Sequence, residues 1–323
     1  MSSGRTWSKG SKGLAGIAGI AITVLSSGLA SASTLIVTNL LDDNAPGSLR
    51  YAVANAASGD VVLFQPGLTG TINLTSQILI DKALAITGPG ASALVVANTS
   101  GRVFQVDAAG AVVNVAALLL RGTGHPAGAN GGAILNVSGA LSLDAVAIDG
   151  SAVAGDWRGG GIGGAIHSAW SPAGTSLTIR NSTISGNSAT KAGAIYAYNQ
   201  ALVIENSTIA ANTATDSAGA ISLDTSWAGT AIRQSTIVGN TANIGSGIYA
   251  RGNSQAEIVN TVVAGNNDPA SANDVDRADG TISATGSLFS ELNSVPDING
   301  TNTNNLFGAD PMLGALANNG GTT

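Results

Sequence analysis

Apolar and polar residues alternate over short segments that recur along the chain. Four segments align without gaps, and each ends in asparagine, at residues 177–187, 202–212, 230–240 and 256–266. A second pattern, Gly-Gly-Ala-Ile or a close variant, lies at 131–134, 163–166, 192–195, 218–221 and 245–248. Two different short strands therefore recur within each period of about 26 residues.

The length of this period narrows the fold class. It is shorter than the strand–helix–strand unit of parallel sheets, which needs about 30 residues, and no segment within it has helical periodicity. Isoleucines such as Ile179 and Ile184 occupy equivalent slots in each repeat and point inward by the alternation rule. A single coil cannot bury them, whereas coils stacked about 4.8 Å apart can. We therefore predict an all-β fold, a right-handed parallel β-helix.

Asparagine closes each of the four repeats. Asn187, Asn212, Asn240 and Asn266 each follow a small residue at the end of a strand. Stacked in register, their side-chain amides would hydrogen-bond from coil to coil as a ladder, and asparagine also tolerates the left-handed backbone of such turns. We interpret the four residues as structural. The alternative is ordinary turn asparagine without a ladder.

The regions outside the repeats are predicted to close the solenoid. Residues 48–57 have the pattern of a short N-terminal capping helix with Ser48 as its N-cap. This helix lies in a first region, 33–110, which also holds the first coils and is followed by the repeat coils, 111–267. Residues 268–323 would form C-terminal coils and a polar tail, with 267–279 and 297–305 as loops.

The N-terminus has the three parts of a bacterial signal peptide. Arg5, Lys9 and Lys12 precede an apolar run over 14–25, and Ala30-Ser31-Ala32 offers a small-x-small cleavage motif. An apolar run of about 12 residues is too short to span a bilayer. We predict cleavage after Ala32 and a secreted or surface-displayed protein with no transmembrane helix after cleavage.

Charge and composition narrow the classes of partner. The chain has 13 Lys and Arg against 19 Asp and Glu, a net charge of −6, and loss of residues 1–32 would change it to −9. An acidic surface disfavours nucleic acid and is compatible with neutral glycans, basic partners or divalent cations. The absence of cysteine excludes disulfides and thiolate metal sites. The predicted partner is an extracellular glycan or a surface protein, bound by a monomer.

Several motifs resemble one bacterial family. Besides the repeats, they are Val37-Thr38-Asn39, Pro46-Gly-Ser-Leu-Arg50, Thr87-Gly-Pro-Gly90 and Gly308-Ala-Asp-Pro-Met-Leu-Gly314. Together they resemble the choice-of-anchor Q β-helix proteins of the pectin-lyase-like superfold, and the Gly-Gly-Ala-Ile tetrads also resemble polymorphic outer-membrane adhesins. The resemblance implies the fold and an extracytoplasmic location but no defined reaction. Members continue past the last motif towards a surface anchor, so we expect this chain to be a fragment or a released form.

Enzymes of related fold include polysaccharide lyases and glycoside hydrolases, which need carboxylates that converge on one face. Most acidic residues of the repeats fall in different columns of the predicted stack. Asp216 and Asp224 flank one strand and are predicted to share a face with Arg251. These three residues are the only catalytic candidates that the sequence offers, and the combination is unspecific.

A strip of aromatic residues is the more specific feature. Its candidate ligand-binding members are His167, Trp170, Tyr196, Tyr198, Asp224, Trp227, Tyr249 and Arg251. Those on strands follow the repeated isoleucine by one or three positions and point outward, and the two tryptophans lie in adjoining loops. Exposed aromatic rings beside Asp and Arg form a platform for sugar rings or for a protein partner. The alternative is that they pack under loops as a satellite core.

The sequence predicts no bound cofactor, with Ca²⁺ as the alternative. Asp274, Asp276 and Asp279 supply carboxylates, but their spacing departs from that of an EF-hand loop, and a solvated acidic loop is the simpler interpretation. The only two histidines, His125 and His167, lie far apart in sequence, which argues against a histidine metal site.

These observations favour a secreted or surface-displayed β-helix that acts in adhesion or surface interaction, through glycans in particular. The alternative is a polysaccharide lyase or glycoside hydrolase that acts on an extracellular polymer. The two hypotheses differ in one expectation, because an enzyme places its acids in a groove walled by long loops. The longer excursions of this chain, over 149–161 and 169–175, are rich in glycine and other small residues.

Overall fold

The computed structural model describes residues 32–155, 159–169, 174–224, 229–267, 273–291 and 297–317. Residues 1–31 of the predicted signal peptide lie outside the described residues, as do Trp170, Trp227 and residues 318–323 of the predicted tail. No helix in the described ranges is both long and apolar enough to cross a membrane.

The described residues form one short helix and many short strands. The first elements in chain order are β1 (Thr34–Val37), α1 (Leu49–Asn55), β2 (Asp60–Phe64), β3 (Gly70–Leu74), β4 (Ile78–Ile80), β5 (Leu84–Thr87), β6 (Leu94–Asn98), β7 (Phe104–Ala116), β8 (Leu119–Gly122), β9 (Ile134–Asp144) and β10 (Ala147–Asp149). The central elements are β11 (Ile166–Ser168), β12 (Thr175–Arg180), β13 (Thr183–Ser185), β14 (Ser188–Lys191), β15 (Ile195–Tyr198), β16 (Ala201–Glu205), β17 (Thr208–Ala210), β18 (Thr213–Ser217), β19 (Ile221–Asp224), β20 (Thr230–Arg233) and β21 (Thr236–Val238). The last are β22 (Ile248–Arg251), β23 (Gln255–Val259), β24 (Val262–Ala264), β25 (Val275–Arg277), β26 (Thr281–Thr285), β27 (Leu288–Phe289), β28 (Asn302–Thr303) and β29 (Leu306–Phe307).

These strands pair in parallel, coil upon coil, and form three faces, apart from β14 and β18, which pair only with each other among the named strands. Face 1 consists of β4, β7, β9, β11, β15, β19, β22 and β25. Face 2 consists of β1, β2, β5, β7, β9, β12, β16, β20, β23, β26 and β28, because the long strands β7 and β9 pair on both faces. Face 3 is a ten-stranded sheet, β3, β6, β8, β10, β13, β17, β21, β24, β27 and β29. The strand β7 runs through residues 110 and 111, so the first coils continue directly into the repeat coils.

The core consists of aliphatic columns that run along the solenoid axis. Ile179 pairs with Ile204 and Ile184 pairs with Ile209 in adjacent coils, and all four side chains are buried. The inward direction predicted for these isoleucines is therefore confirmed. Because one coil has no apolar layer above or below it, this burial exists only in the stack.

The predicted asparagine ladder is present at the corner that follows face 3. The backbone and side-chain amides of Asn187 both donate to Oδ1 of Asn212, at 3.0 and 2.9 Å. Asn212 makes the same two bonds to Asn240, and Asn240 makes them to Asn266. The ladder satisfies buried amides that no solvent reaches, which is what a buried polar group requires.

The predicted role of these asparagines in the left-handed backbone is wrong. Positive φ angles occur one residue earlier, at Gly186, Ala211, Gly239 and Gly265. A different asparagine column, Asn181, Asn206 and Asn260, adopts positive φ at the corner between faces 2 and 3. The four ladder asparagines themselves do not have positive φ, and their side chains are buried in the corner.

A second ladder, not predicted from the sequence, runs along the corner between faces 2 and 3. Its members are Ser182, Ser207, Ser235, Thr261 and Ser287. The backbone N–H of each of the first four donates to the side-chain hydroxyl of the next, at 3.2 to 3.4 Å. The signal was available, because a hydroxyl residue precedes each Thr-Ile or Val-Val pair of the aligned repeats.

The N-terminal end of the solenoid has the predicted capping helix, whereas the C-terminal end has strands within the segments predicted to be loops. The capping helix α1 follows Ser48, whose side chain accepts a hydrogen bond from the backbone N–H of Tyr51. At the other end, the predicted loops 267–279 and 297–305 contain strands β25 and β28. These two- or three-residue strands are defined by pairing with the preceding coil, and their sequence has no alternation long enough to reveal them.

Candidate functional site

The site is built on face 1, where successive coils bring residues far apart in sequence into register. His167 pairs with Tyr196, which pairs with Ser222, and Ser222 pairs with Tyr249. Side chains alternate along a strand, so all four point away from the core. The predicted column is therefore present. A parallel column two residues further along contains Tyr198, Asp224 and Arg251.

Three of these side chains form a connected polar group. The Tyr196 hydroxyl donates to Oδ2 of Asp224 at 2.9 Å, and Nη2 of Arg251 forms an ion pair with the same oxygen. Asp224 is only 7% exposed, so its charge is balanced mainly by these two donors. Burial and the nearby Asp224 carboxylate raise the pKa of Tyr196, which therefore remains a donor. The group holds the Tyr196 ring in one orientation.

Two further aromatic rings neighbour Tyr196, that of His167 on the adjacent strand and that of Tyr198 on the same strand. The His167 and Tyr196 rings are nearly parallel, with centroids 5.1 Å apart, and the Tyr196 and Tyr198 rings lie 6.5 Å apart. The first distance is close to the coil spacing of about 4.8 Å, so stacking follows directly from the register. The three rings form one patch.

Exposure is uneven within the patch, for which the sequence left both an exposed platform and a buried satellite core open. His167 points outward but is 9% exposed, and its Nδ1 atom is buried without a hydrogen-bond partner. Burial, followed by the charge of Arg102, lowers the pKa of His167 to about 4. Tyr198 is 40% exposed, and Tyr196, Tyr249 and Arg251 are half-buried. His167 is thus a support beneath the surface, whereas the tyrosines and Arg251 face the solvent.

The catalytic candidates are not brought together as a free set of acids. Asp224 is shared between Tyr196 and Arg251, as described above. Asp216 lies on β18, beside face 1, and forms an ion pair with Lys191 at 3.6 Å. Among the residues that the structure describes, no group of three or more Asp, Glu or His side chains could hold a metal ion.

The candidate Ca²⁺ ligands are also separated. Asp274 is fully buried, so the prediction of a solvated loop is wrong for this residue. Its Oδ1 accepts the backbone and side-chain amides of Asn266, and its Oδ2 accepts Ser290 Oγ and the backbone N–H of Glu291. Asp274 is therefore the last member of the asparagine ladder. Asp276 lies two residues further on, next to Tyr249 on face 1.

Comparison with known proteins agrees with this architecture. A family model described as right-handed beta helix region matches residues 168–306. Among solved structures, pectate lyase Pel9A is similar with a TM-score of 0.50 and 14% identity, over 81% of this chain and 70% of that one. The chain is a right-handed parallel β-helix. At this identity the likeness extends to the fold alone.

Two further solved structures are more distant. The PL6 family alginate lyase AlyGC has a TM-score of 0.46 and 13% identity, over 86% of this chain and 40% of that one. ORF18 of Geobacillus virus E2 has a TM-score of 0.32 and 11% identity, over 79% of this chain and 56% of that one. A search of the curated proteins finds none that matches the chain.

Proposed function

We propose that this chain is a secreted or surface-displayed β-helix of the choice-of-anchor Q type, and that face 1 binds glycans in adhesion or surface interaction. The observation that carries the proposal is the patch in which Tyr196 is held by Asp224 and flanked by Tyr198 and Arg251. Export after cleavage at Ala32 is part of the same proposal and is supported by the sequence of residues 1–32.

The chemistry of the patch suits a sugar ring. Sugars present apolar C–H faces to aromatic rings and hydroxyls to charged side chains, and a tyrosine offers both an apolar body and a polar tip. Because Asp224 and His167 already restrict the Tyr196 ring, little side-chain entropy remains to be lost on binding. The half-exposed Arg251 contacts Asp224 through Nη2, and a guanidinium has five N–H donors in total, so others can bond to a ligand.

A polysaccharide-active enzyme is the second candidate, and the likeness to pectate lyase Pel9A is its support. A hydrolase would need one protonated carboxyl beside a free carboxylate, and a lyase would need an unpaired base. Asp216, Asp224 and Arg251 all have ion-pair partners in the resting structure. Binding without turnover is therefore the better account of these residues.

The test compares glycan binding by residues 33–323 with binding by Tyr196→Ala and Tyr198→Ala variants. Wild-type protein is screened on immobilised neutral and acidic oligosaccharides, and hits are measured by calorimetry. We expect each variant to bind at least about tenfold more weakly, the loss typical of a central aromatic contact. Tyr51→Ala is the matched control, because Tyr51 is the one tyrosine outside this face and lies on α1.

Unchanged affinity in folded Tyr196→Ala and Tyr198→Ala proteins would contradict the binding role of the patch. The same preparations are assayed for new reducing ends and for unsaturated sugar products. Sustained, substrate-selective release that is lost in Asp224→Ala would establish the enzyme instead.

A further inference from the structure

One arginine of face 1 is held without a carboxylate. Arg102 precedes β7, and its half-buried guanidinium donates to Gln77 Oε1 at 2.6 Å and to the carbonyl oxygens of Asn130 and Gly131 at 2.9 and 3.4 Å. No carboxylate oxygen of the described Asp and Glu residues lies within 4.0 Å of a guanidinium nitrogen of Arg102, so Arg102 has no ion-pair partner among them. A guanidinium has five N–H donors, so two remain for an external group.

This arrangement differs from that of other arginines in the described ranges. Those with a carboxylate partner are Arg50, Arg121, Arg180, Arg233 and Arg251. Partial burial of an unpaired cation is unfavourable, and burial lowers the pKa of Arg102. Neutral carbonyl oxygens orient the guanidinium but do not neutralise its charge. The unbalanced charge therefore favours an anion from outside the chain.

Both histidines of the protein lie in the electrostatic field of Arg102. Burial lowers the pKa of each ring, and the charge of Arg102 lowers it further. Nε2 of His125 lies 2.9 Å from the carbonyl oxygen of Gly132, beside the turn that Arg102 contacts. Nδ1 of His167 is buried and has no partner. An anion at Arg102 would offset the positive field on both rings.

The site lies at one end of face 1, and paired charges of both signs lie at the other. Gln77 links Arg102 to Gln105, and three coils, about 14 Å, separate Gln105 from Tyr196 in register. Beyond Tyr196, the charges of Asp276, Asp216 and Asp279 act on Tyr249. Arg251 acts on Tyr249 as well, and Asp216 is paired with Lys191, so the charges at the C-terminal coils of face 1 are of both signs.

We infer that Arg102 binds an oxyanion, a sulfate, phosphate or carboxylate group carried by the ligand of face 1. The cations near the other end, Arg251 and Lys191, already have carboxylate partners, so the ligand is oriented with its anion towards Arg102 and the N-terminal coils. That orientation rests on the proposed glycan-binding function, whereas the anion site itself is testable without any glycan.

The first experiment titrates the two histidines by imidazole NMR in sodium sulfate and in sodium chloride at equal ionic strength. Only two histidine spin systems exist in the chain, so both are resolved. We expect sulfate, and not chloride, to shift both signals saturably and to raise both apparent pKa values. Arg102→Gln abolishes this response, and Arg121→Gln, which changes a matched arginine on face 3, retains it.

Identical histidine signals in sulfate and chloride in the wild-type protein would overturn the anion site, whatever the folding of the variants. A sulfate response that survives in Arg102→Gln would also overturn it and would make Arg102 a clamp for the Asn130–Gly131 turn only.

The second experiment measures oligosaccharides of one backbone in neutral, carboxylated and sulfated forms. We expect Arg102→Gln to weaken the charged forms about tenfold and to leave the neutral form unchanged, whereas Tyr196→Ala weakens all three. The relative loss for carboxylated and sulfated forms identifies the preferred anion. Equal losses for neutral and charged forms in Arg102→Gln would overturn the inference. A sulfate response without binding of any glycan would retain the anion site and reject the proposed function.

Discussion

At the scale of single residues, partners decide what a side chain can do. The sequence makes Asp224 a catalytic candidate because it places an acidic side chain on the outward side of a strand. In the folded chain it accepts a hydrogen bond from Tyr196 and forms an ion pair with Arg251, which come from the coils before and after it. Its role in the proposed function is to position these two side chains.

His167 makes stability depend on pH. Its pKa of about 4 in the fold lies below the value of about 6.5 expected in the unfolded chain, so between these values the unfolded chain binds more protons. Stability is therefore complete above about pH 6.5 and falls as the pH decreases to about 4, by about 3 kcal/mol. His167→Phe retains a ring that stacks on Tyr196 and removes this titration.

The measurement is urea unfolding of wild type and His167→Phe at pH 7, 6, 5 and 4, with the difference in unfolding free energy plotted against pH. We expect the variant to gain on the wild type as the pH falls. Parallel curves would show that His167 does not carry this dependence.

At the scale of elements, glycine corners let the coils approach each other. Each central face 1 strand is entered through a glycine that faces a backbone carbonyl oxygen of the next coil, at Gly132, Gly164, Gly193, Gly219 and Gly247. A Cβ atom on Gly193 would lie 2.4 Å from the carbonyl oxygen of Gly219 and 2.7 Å from two backbone atoms of Thr213. The Gly-Gly-Ala-Ile repeat is thus a corner followed by a strand that begins at the isoleucine.

Gly193→Ala is expected to destabilise the protein by about 1–3 kcal/mol, because backbone atoms of the next coil would have to move. Gly229→Ala is the matched control, since a Cβ atom there meets nothing within 4 Å. Thermal and urea unfolding of both variants check the difference. Equal free energies of unfolding for Gly193→Ala and Gly229→Ala would contradict this prediction and show that the coils accommodate a Cβ atom at this corner.

At the scale of the whole molecule, the asparagine ladder connects coils that share no sequence neighbours. The amide-to-amide bonds all have one direction, from each asparagine to the next one towards the C-terminus. Each Nδ2 also donates to an isoleucine carbonyl oxygen of the preceding coil. Asp274 ends it because a carboxylate accepts from both directions. Asp274 occupies the alanine slot of the Gly-Gly-Ala-Ile motif, since the backbone N–H of Ile248 donates to its carbonyl oxygen. From that position the Asp274 carboxylate contacts Asn266, the last asparagine of the ladder.

Asn212→Asp should interrupt the ladder in its middle. The variant loses both donors of Nδ2 and places a carboxylate oxygen against Oδ1 of Asn240 and the carbonyl oxygen of Ile184. We expect a loss of about 3 kcal/mol at pH 7 that shrinks in acid, because burial favours the protonated form of the new carboxyl. Asn206→Asp makes the same substitution at an exposed corner.

Urea unfolding at pH 7 and pH 4 measures both variants. Equal stability of Asn212→Asp and Asn206→Asp at pH 7 would show that the ladder contributes no more than an exposed amide pair.

Sequence patterns were enough to predict the solenoid, the inward isoleucines, the ladder asparagines and the capping helix. Each depends on a pattern that repeats or on local capping chemistry, so neighbouring residues suffice to reveal it. The burial of His167, the sharing of Asp224 between two partners and the place of Asp274 at the end of the ladder follow from the folded chain and not from a local pattern. These outcomes depend on which side chains adjacent coils place beside one another and on how deeply the corners cover them. The anion site at Arg102 belongs to the same class, because its three carbonyl partners come from other coils and no spacing in the chain encodes them.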